Sequence, residues 1–282
     1  MKILLLLTGC LFSLVSVFAE TQTDVEYARV DGLPLLLDLH RPSGVQHPPL
    51  IVYVHGGAWR AGSKSDVPIA GLLEHGFAIA SVDYRLSTQA RFPAQIHDIK
   101  AAIRFLRGKA SLFDLNTEFI AIIGSSAGGH LAALVGVTNG HKVLEGRVGD
   151  HLDQSSHVAA IVSFYGASNL QSILGQSTEF GLTVRIPALK LLLGDVPEKA
   201  PSLAKLASPV AHLDKADPPL LLLHGDADPQ MPPAQSEELA KAYRSSVKLI
   251  TLPGSKHGGA EFYDVGRLKV VAAFLRQALT SR

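Results

Sequence analysis

The sequence predicts an α/β fold: a mostly parallel, doubly wound sheet with an N-terminal antiparallel hairpin and a small cap insertion late in the chain. Three observations predict it. From residue 50 onward, short apolar β-branched runs alternate with segments whose apolar residues recur at helical spacing. Those short runs are almost continuously apolar, as strands covered on both faces are. Ahead of them, two apolar-rich runs flank Asp31-Gly32, a dipeptide suited to a tight hairpin.

In chain order, residues 24–30 and 33–39 are the hairpin strands, and residues 41–49, rich in Pro, Gly and Ser, form a loop. Residues 50–54 form the first central strand. The loop after it reads HGGAWRAGS over residues 55–63, and a helix is expected over 66–75. Residues 77–82 are the next strand, ending in Asp83-Tyr84-Arg85. Pro93 opens a helix in which Ile96, Ile99, Ile103 and Leu106 share a face. Residues 119–123 are a strand and 131–137 the body of a helix. A polar stretch, 138–156, precedes a strand over 158–165. Residues 168–217 break the rhythm with Gly, Pro and Ser and no clear strand, so they are expected to fold over the strand ends as a helical cap. The sheet resumes at 220–224, followed by a helix over 233–243, a last strand at 247–252 and a closing helix over 262–279.

With 282 residues, 47% hydrophobic and 18% charged, the chain can bury an ample core without metals or cross-links. Residues 1–19 are set apart as a leader, with residues 20–282 forming the α/β domain. Lys2 is a short positive region, residues 3–18 are mostly apolar, and Val17-Phe18-Ala19 has small residues where signal peptidase reads them. Cleavage after Ala19 and export, periplasmic or secreted, are expected. A membrane anchor is the rival reading, but the run is short and carries Thr8, Ser13 and Ser16. Leu7-Thr8-Gly9-Cys10 also resembles a lipobox. Only residues 3–7 precede it as an apolar run, which disfavours lipidation at Cys10. Cys10 is the only cysteine, so the processed chain has no disulfide. Removing Lys2 leaves no formal net charge, and nothing points to nucleic acid or an anionic membrane as partner.

The chemistry concentrates where the strand 119–123 turns into the helix after it. Gly124, Ser126 and Gly128 have the GxSxG spacing of a tight strand-to-helix turn that lifts a serine hydroxyl clear of the sheet edge. Ala127 opens the helix, its amide directed at any negative charge formed beside Ser126. A serine hydroxyl needs a base within hydrogen-bond reach, itself held by a third group. Such partners belong in loops at the carboxyl ends of later strands. The loop after 220–224 offers Asp226 and Asp228, and the loop after 247–252 offers His257 between glycines. Asp228 is preferred over Asp226 because the acid should project from the loop rather than stand at its base. His55-Gly56-Gly57-Ala58, directly after a strand, supplies backbone amides with little obstruction for the oxygen that becomes negative in acyl transfer.

Taken together, His55-Gly56-Gly57-Ala58-Trp59, Asp83-Tyr84-Arg85-Leu86, Phe92-Pro93-Ala94 with Asp98, Gly124-Ser125-Ser126-Ala127-Gly128-Gly129, Ser208-Pro209, His224-Gly225-Asp226-Ala227-Asp228 and His257-Gly258 resemble the ordered landmarks of α/β-hydrolase carboxylesterases. In particular they resemble the group related to hormone-sensitive lipase and to bacterial feruloyl or acetyl esterases. The resemblance covers nearly all of the chain after the leader. It implies an α/β-hydrolase fold and hydrolysis of a carboxylic ester through an acyl-enzyme, with no metal or organic cofactor. Ser126 would be the nucleophile, His257 the base and Asp228 its orienting acid, with Gly57, Ala58 and Ala127 as oxyanion donors. Ala58 departs from the third glycine of the lipase-like members, and its methyl group would narrow the acyl pocket. The substrate implied is a small-molecule or saccharide-linked ester. A peptidase or amidase of the same fold, a lipase acting at lipid surfaces, and a homologue that only binds ligands are the alternatives; the last usually lacks part of the triad.

Overall fold

The computed structural model describes residues 20–281, so the expected leader and Cys10 lie outside the described residues. Eight strands form one sheet in the order β1-β2-β4-β3-β5-β6-β7-β8. The hairpin strands β1 (Glu20–Val30) and β2 (Leu33–Arg41) pair antiparallel around Asp31-Gly32, where both residues take positive φ. β2 also runs antiparallel to β4 (Ala78–Val82). All other neighbours are parallel: β3 (Pro49–Val54), β5 (Asn116–Ser125), β6 (Ala160–Phe164), β7 (Leu220–Gly225) and β8 (Val247–Leu252).

Side chains of one strand alternate between faces, and β3 shows how the core divides. Leu50, Val52 and Val54 face α1 (Ala94–Gly108) and α2 (Ala127–Gly136) in one cluster. Ile51 and Tyr53 belong to a second cluster on the other side, with residues of the closing helix. Both faces are dry, which is why these strands read as continuous apolar runs.

The expected helix over 66–75 is corrected. Only a 3₁₀ turn, Ala70–His75, forms there. Pro68 has no amide and disfavours α geometry at Val67, so the segment closes with three-residue bonds, Ala70 N to Val67 O and Leu72 N to Ile69 O. The closing helix also starts later than 262. A 3₁₀ turn, Ala260–Phe262, comes first, and Asp264 then caps the helix proper by accepting the Arg267 amide at 2.7 Å.

The polar stretch 138–156 contains one helical turn, α3 (Lys142–Glu145), with a structural task. It carries Glu145 to Lys100, a fully buried lysine on α1. The Lys100 ammonium donates to Glu145 Oε1 at 2.5 Å and to the Thr138 carbonyl at 2.6 Å. Glu145 also accepts from Ser156 Oγ and the Gly140 amide. Replacing Glu145 by Gln leaves the ammonium buried without its counter-charge. A loss of roughly 3 kcal/mol is expected, read as a melting temperature lower by about 6–12 °C. An unchanged melting curve would show that the pair contributes nothing.

Residues 168–217 hold no strand but three α-helices, α4 (Ile173–Gln176), α5 (Glu179–Leu193) and α6 (Pro201–Leu206), and a 3₁₀ turn, Pro209–Ala211. Ala188, Leu189, Leu192 and Leu193 of α5 join the cluster that includes α1 and α2. The segment is tied to α7 (Ala234–Ala242) by Gln235, whose side-chain oxygen accepts the amides of Ser168 and Asn169. The chain ends in α8 (Val265–Thr280). Among the described residues no helix is long and apolar enough to cross a membrane.

Candidate active site

Ser126 sits between β5 and α2 at φ +55° and ψ −116°, a conformation costly for a residue with a side chain. Two backbone bonds hold it there, its own amide to the Phe164 carbonyl at 2.9 Å and its carbonyl from the His130 amide at 3.0 Å. The two flanking glycines are required by close approach. A Cβ on Gly124 would stand 2.2 Å from the Gly128 carbonyl oxygen, and one on Gly128 would stand 2.0 Å from that of Val54. No side chain fits in either place, so helix and strands can meet tightly only with glycine there.

The three residues expected to work together are joined. His257 Nε2 lies 2.9 Å from Ser126 Oγ, and His257 Nδ1 lies 2.7 Å from Asp228 Oδ2. Each arrives from the carboxyl end of its own strand, Ser126 after β5, Asp228 after β7 and His257 after β8. Asp228 Oδ1 accepts the amides of Gln230 and Met231, both at 2.8 Å. Burial opposes ionisation of this carboxyl, but hydrogen bonds from His224, His257 and the Met231 amide outweigh it and hold it well below the usual carboxylate range. Asp226, the competing acid, instead accepts the Gly254 amide at 2.7 Å and closes the base of its loop.

The HGG loop reaches the same place. Gly57, Ala58 and Trp59 all have positive φ, and the Gly57 carbonyl accepts the amides of Arg60 and Ala61. The amides of Gly57 and Ala58 have no protein acceptor among the described residues. Ala127 is the first residue of α2, where amides have no acceptor within the helix. Buried Trp59 fixes the loop, donating from Nε1 to His130 Nδ1 at 3.1 Å while its carbonyl takes the Ser87 amide. His55 stacks on Tyr84 with ring centroids 4.5 Å apart and serves the loop rather than the reaction. Asp83 accepts the Lys64 amide and Arg85 makes a forked pair with buried Asp98, so both are structural.

A cleft of about 450 Å³ opens over Ser126 and His257. Its wall includes Ala58, Arg60, Asp66, Tyr165 and Gln230. A larger cavity, about 550 Å³, lies at the opposite ends of β6 to β8, beside Ala159, Pro219 and Ser246. It contains none of the joined residues, so size alone would choose the wrong place.

Two buried residues near the site have roles that the sequence reading did not assign. His224, the penultimate residue of β7, lies 3.3 Å through Nε2 from Asp228 Oδ2. Arg185 of α5 is fully buried, with its guanidinium carbon 5.8 Å from the Trp59 ring centre and Nε 3.4 Å from the Gln230 carbonyl. The HGxxD spacing after an apolar run was the available signal for His224. Arg185 had none, since its neighbours come from distant segments.

The model of the BD-FAE family matches residues 37–243. The chain belongs to that family. It is an α/β-hydrolase by fold, similar to a truncated carbohydrate esterase from gut microbiota at a TM-score of 0.84 and 32% identity, covering 93% of this chain and 97% of that one. It is also similar to esterase Est2 of the planctomycete Thermogutta terrifontis, solved with propionate bound, at a TM-score of 0.73 and 26% identity, covering 92% and 94%. Esterase LipC of Mycobacterium tuberculosis is 31% identical over 83% of this chain and 59% of its own length. An isoprenylcysteine α-carbonyl methylesterase of Arabidopsis thaliana is 29% identical over 90% and 61%. The BD-FAE chain thus spans about three fifths of the length of these two curated relatives.

Proposed function

We propose that this BD-FAE member is an exported serine carboxylesterase that works through an acyl-enzyme on Ser126. One observation carries the reading: an alcohol, an imidazole and an ionised carboxylate stand in a single hydrogen-bonded line at 2.9 and 2.7 Å beneath an open cleft. Asp228 fixes the His257 tautomer with its proton on Nδ1, leaving Nε2 free to take the Ser126 proton as Oγ attacks the ester carbon. The carbonyl oxygen becomes an oxyanion, met by the amides of Gly57, Ala58 and Ala127. His257 then returns the proton to the departing alcohol, and a water molecule repeats the cycle against the acyl-enzyme. No step calls for a metal or organic cofactor.

The substrate proposed is a small ester, including esters of saccharides. The polar wall supports this, since Arg60, Asp66 and Gln230 offer partners for a hydroxylated alcohol while Ala58 and Pro68 leave room for a short acyl group. Turnover of p-nitrophenyl esters of graded chain length, set beside acetylated sugars and feruloyl esters, tests it. Activity on none of them would defeat the proposal.

The pH profile gives a second test. His257 acts as a base only when neutral, so kcat/KM is expected to fall on the acid side as the imidazole gains a proton. Asp228, held well below its usual range, stays ionised throughout and adds no second step. The limb therefore has the slope of one proton, and a flat profile down to about pH 5 would contradict the assignment of His257.

A further inference from the structure

The hydrogen bonds of His224 run to Ser236 and to the Met231 carbonyl, yet the same ring stands against the three-residue line. Its ring is buried. Nδ1 lies 2.6 Å from Ser236 Oγ on α7, and Nε2 faces two acceptors, the Met231 carbonyl at 3.0 Å and Asp228 Oδ2 at 3.3 Å. With only acceptors before it, Nε2 carries the proton, and Ser236 donates to the bare Nδ1. Asp228 Oδ2 is therefore approached by two imidazole N–H groups, one from His224 and one from His257.

From this geometry, and resting on the triad reading above, we propose that His224 is a positioning residue that sets the basicity of His257 by sharing the Asp228 carboxylate with it. An acceptor divided between two donors holds each less strongly than one donor alone. The negative charge that stabilises protonated His257 is thereby diluted, and the base is kept neutral to lower pH. Ser236 is part of the device because, by donating to Nδ1, it polarises the ring and strengthens Nε2–H as a donor.

The charged and titratable groups facing this arrangement are few. Arg185 on α5 acts on Asp228 through its positive charge. The Tyr165 ring, after β6, packs edge-on against His257 at 4.8 Å between centres, and its phenol senses Asp228. Among the described residues neither donates a hydrogen bond to Oδ2, so the imidazole nearest that oxygen after His257 is that of His224, at 3.3 Å.

The test is the acid limb of kcat/KM. His224→Met removes the second donor, so the carboxylate holds protonated His257 more tightly and the midpoint should move upward, by roughly half a pH unit or more. His224→Gln, which can return an N–H to the place of Nε2, should bring the midpoint back toward that of the wild type. Ser236→Ala, which leaves the imidazole in place but removes the donor that polarises it, should shift the midpoint the same way by less, and it serves if His224→Met does not fold. Midpoints unchanged in both His224→Met and Ser236→Ala, or an activity loss equal at every pH, would overturn the proposal and leave the triad standing. A wild type with no acid limb would instead overturn the triad reading itself.

Discussion

Ser126→Ala is expected to lower kcat by roughly 10⁴-fold or more with the fold intact. Among the described residues the Ser126 hydroxyl bonds only to His257, whose ring lines the open cleft, so its loss leaves no group sealed from water without a partner. Alanine carries a Cβ as serine does, and the backbone bonds to Phe164 and His130 that hold the positive φ are unaffected. The melting temperature should therefore stay near that of the wild type while turnover of any good ester collapses. A residual rate above that in water is expected, because the amides of Gly57, Ala58 and Ala127 still face the substrate. A fluorophosphonate probe should label the wild type and not the variant. Near-normal turnover by a folded Ser126→Ala protein would falsify the assignment of the nucleophile, whatever becomes of the fold.

What made Ser126, Asp228 and His257 readable in the sequence is that each is fixed by local chain geometry. A strand ends, a glycine or proline turns the chain, and the next residues stand at the sheet edge. The same logic separated Asp228 from Asp226, for the base of a loop is where a side chain closes the turn, as Asp226 does on Gly254. Local rules were there to be used in two places where the elements came out differently. Pro68 disfavours α geometry at Val67, inside the expected helix 66–75, and Asp264, three residues before Arg267, marks the true start of α8. Other features carry no local mark. Lys100 lies on the buried side of α1 and depends on Glu145, brought to it by a turn 45 residues away. Arg185 depends on Trp59 and Gln230, which no spacing rule connects to α5. His224 carries the HGxxD spacing, but nothing local says that Ser236 and Met231 hold its ring against Asp228.

Asp228→Asn is expected to cost activity on a similar scale, roughly 10⁴-fold in kcat, although it changes one atom. The amides of Gln230 and Met231 both point at one carboxylate oxygen, and the carbonyl oxygen of the new side chain would settle there. Its NH₂ group must then occupy the place of Oδ2, facing His257 Nδ1 and His224 Nε2. Both imidazoles now meet a donor where they had an acceptor. His257 can accept from it only with Nδ1 bare, which moves its proton to Nε2 and leaves nothing there to take a proton from Ser126. Asp226→Asn makes the control, because an amide oxygen can still accept the Gly254 amide and the side chain is exposed, so activity should remain within about twofold of the wild type. The comparison is kcat and melting temperature for the two variants side by side. If they lose turnover alike, or if Asp226→Asn is the worse, the carboxylate that orients His257 has been misidentified.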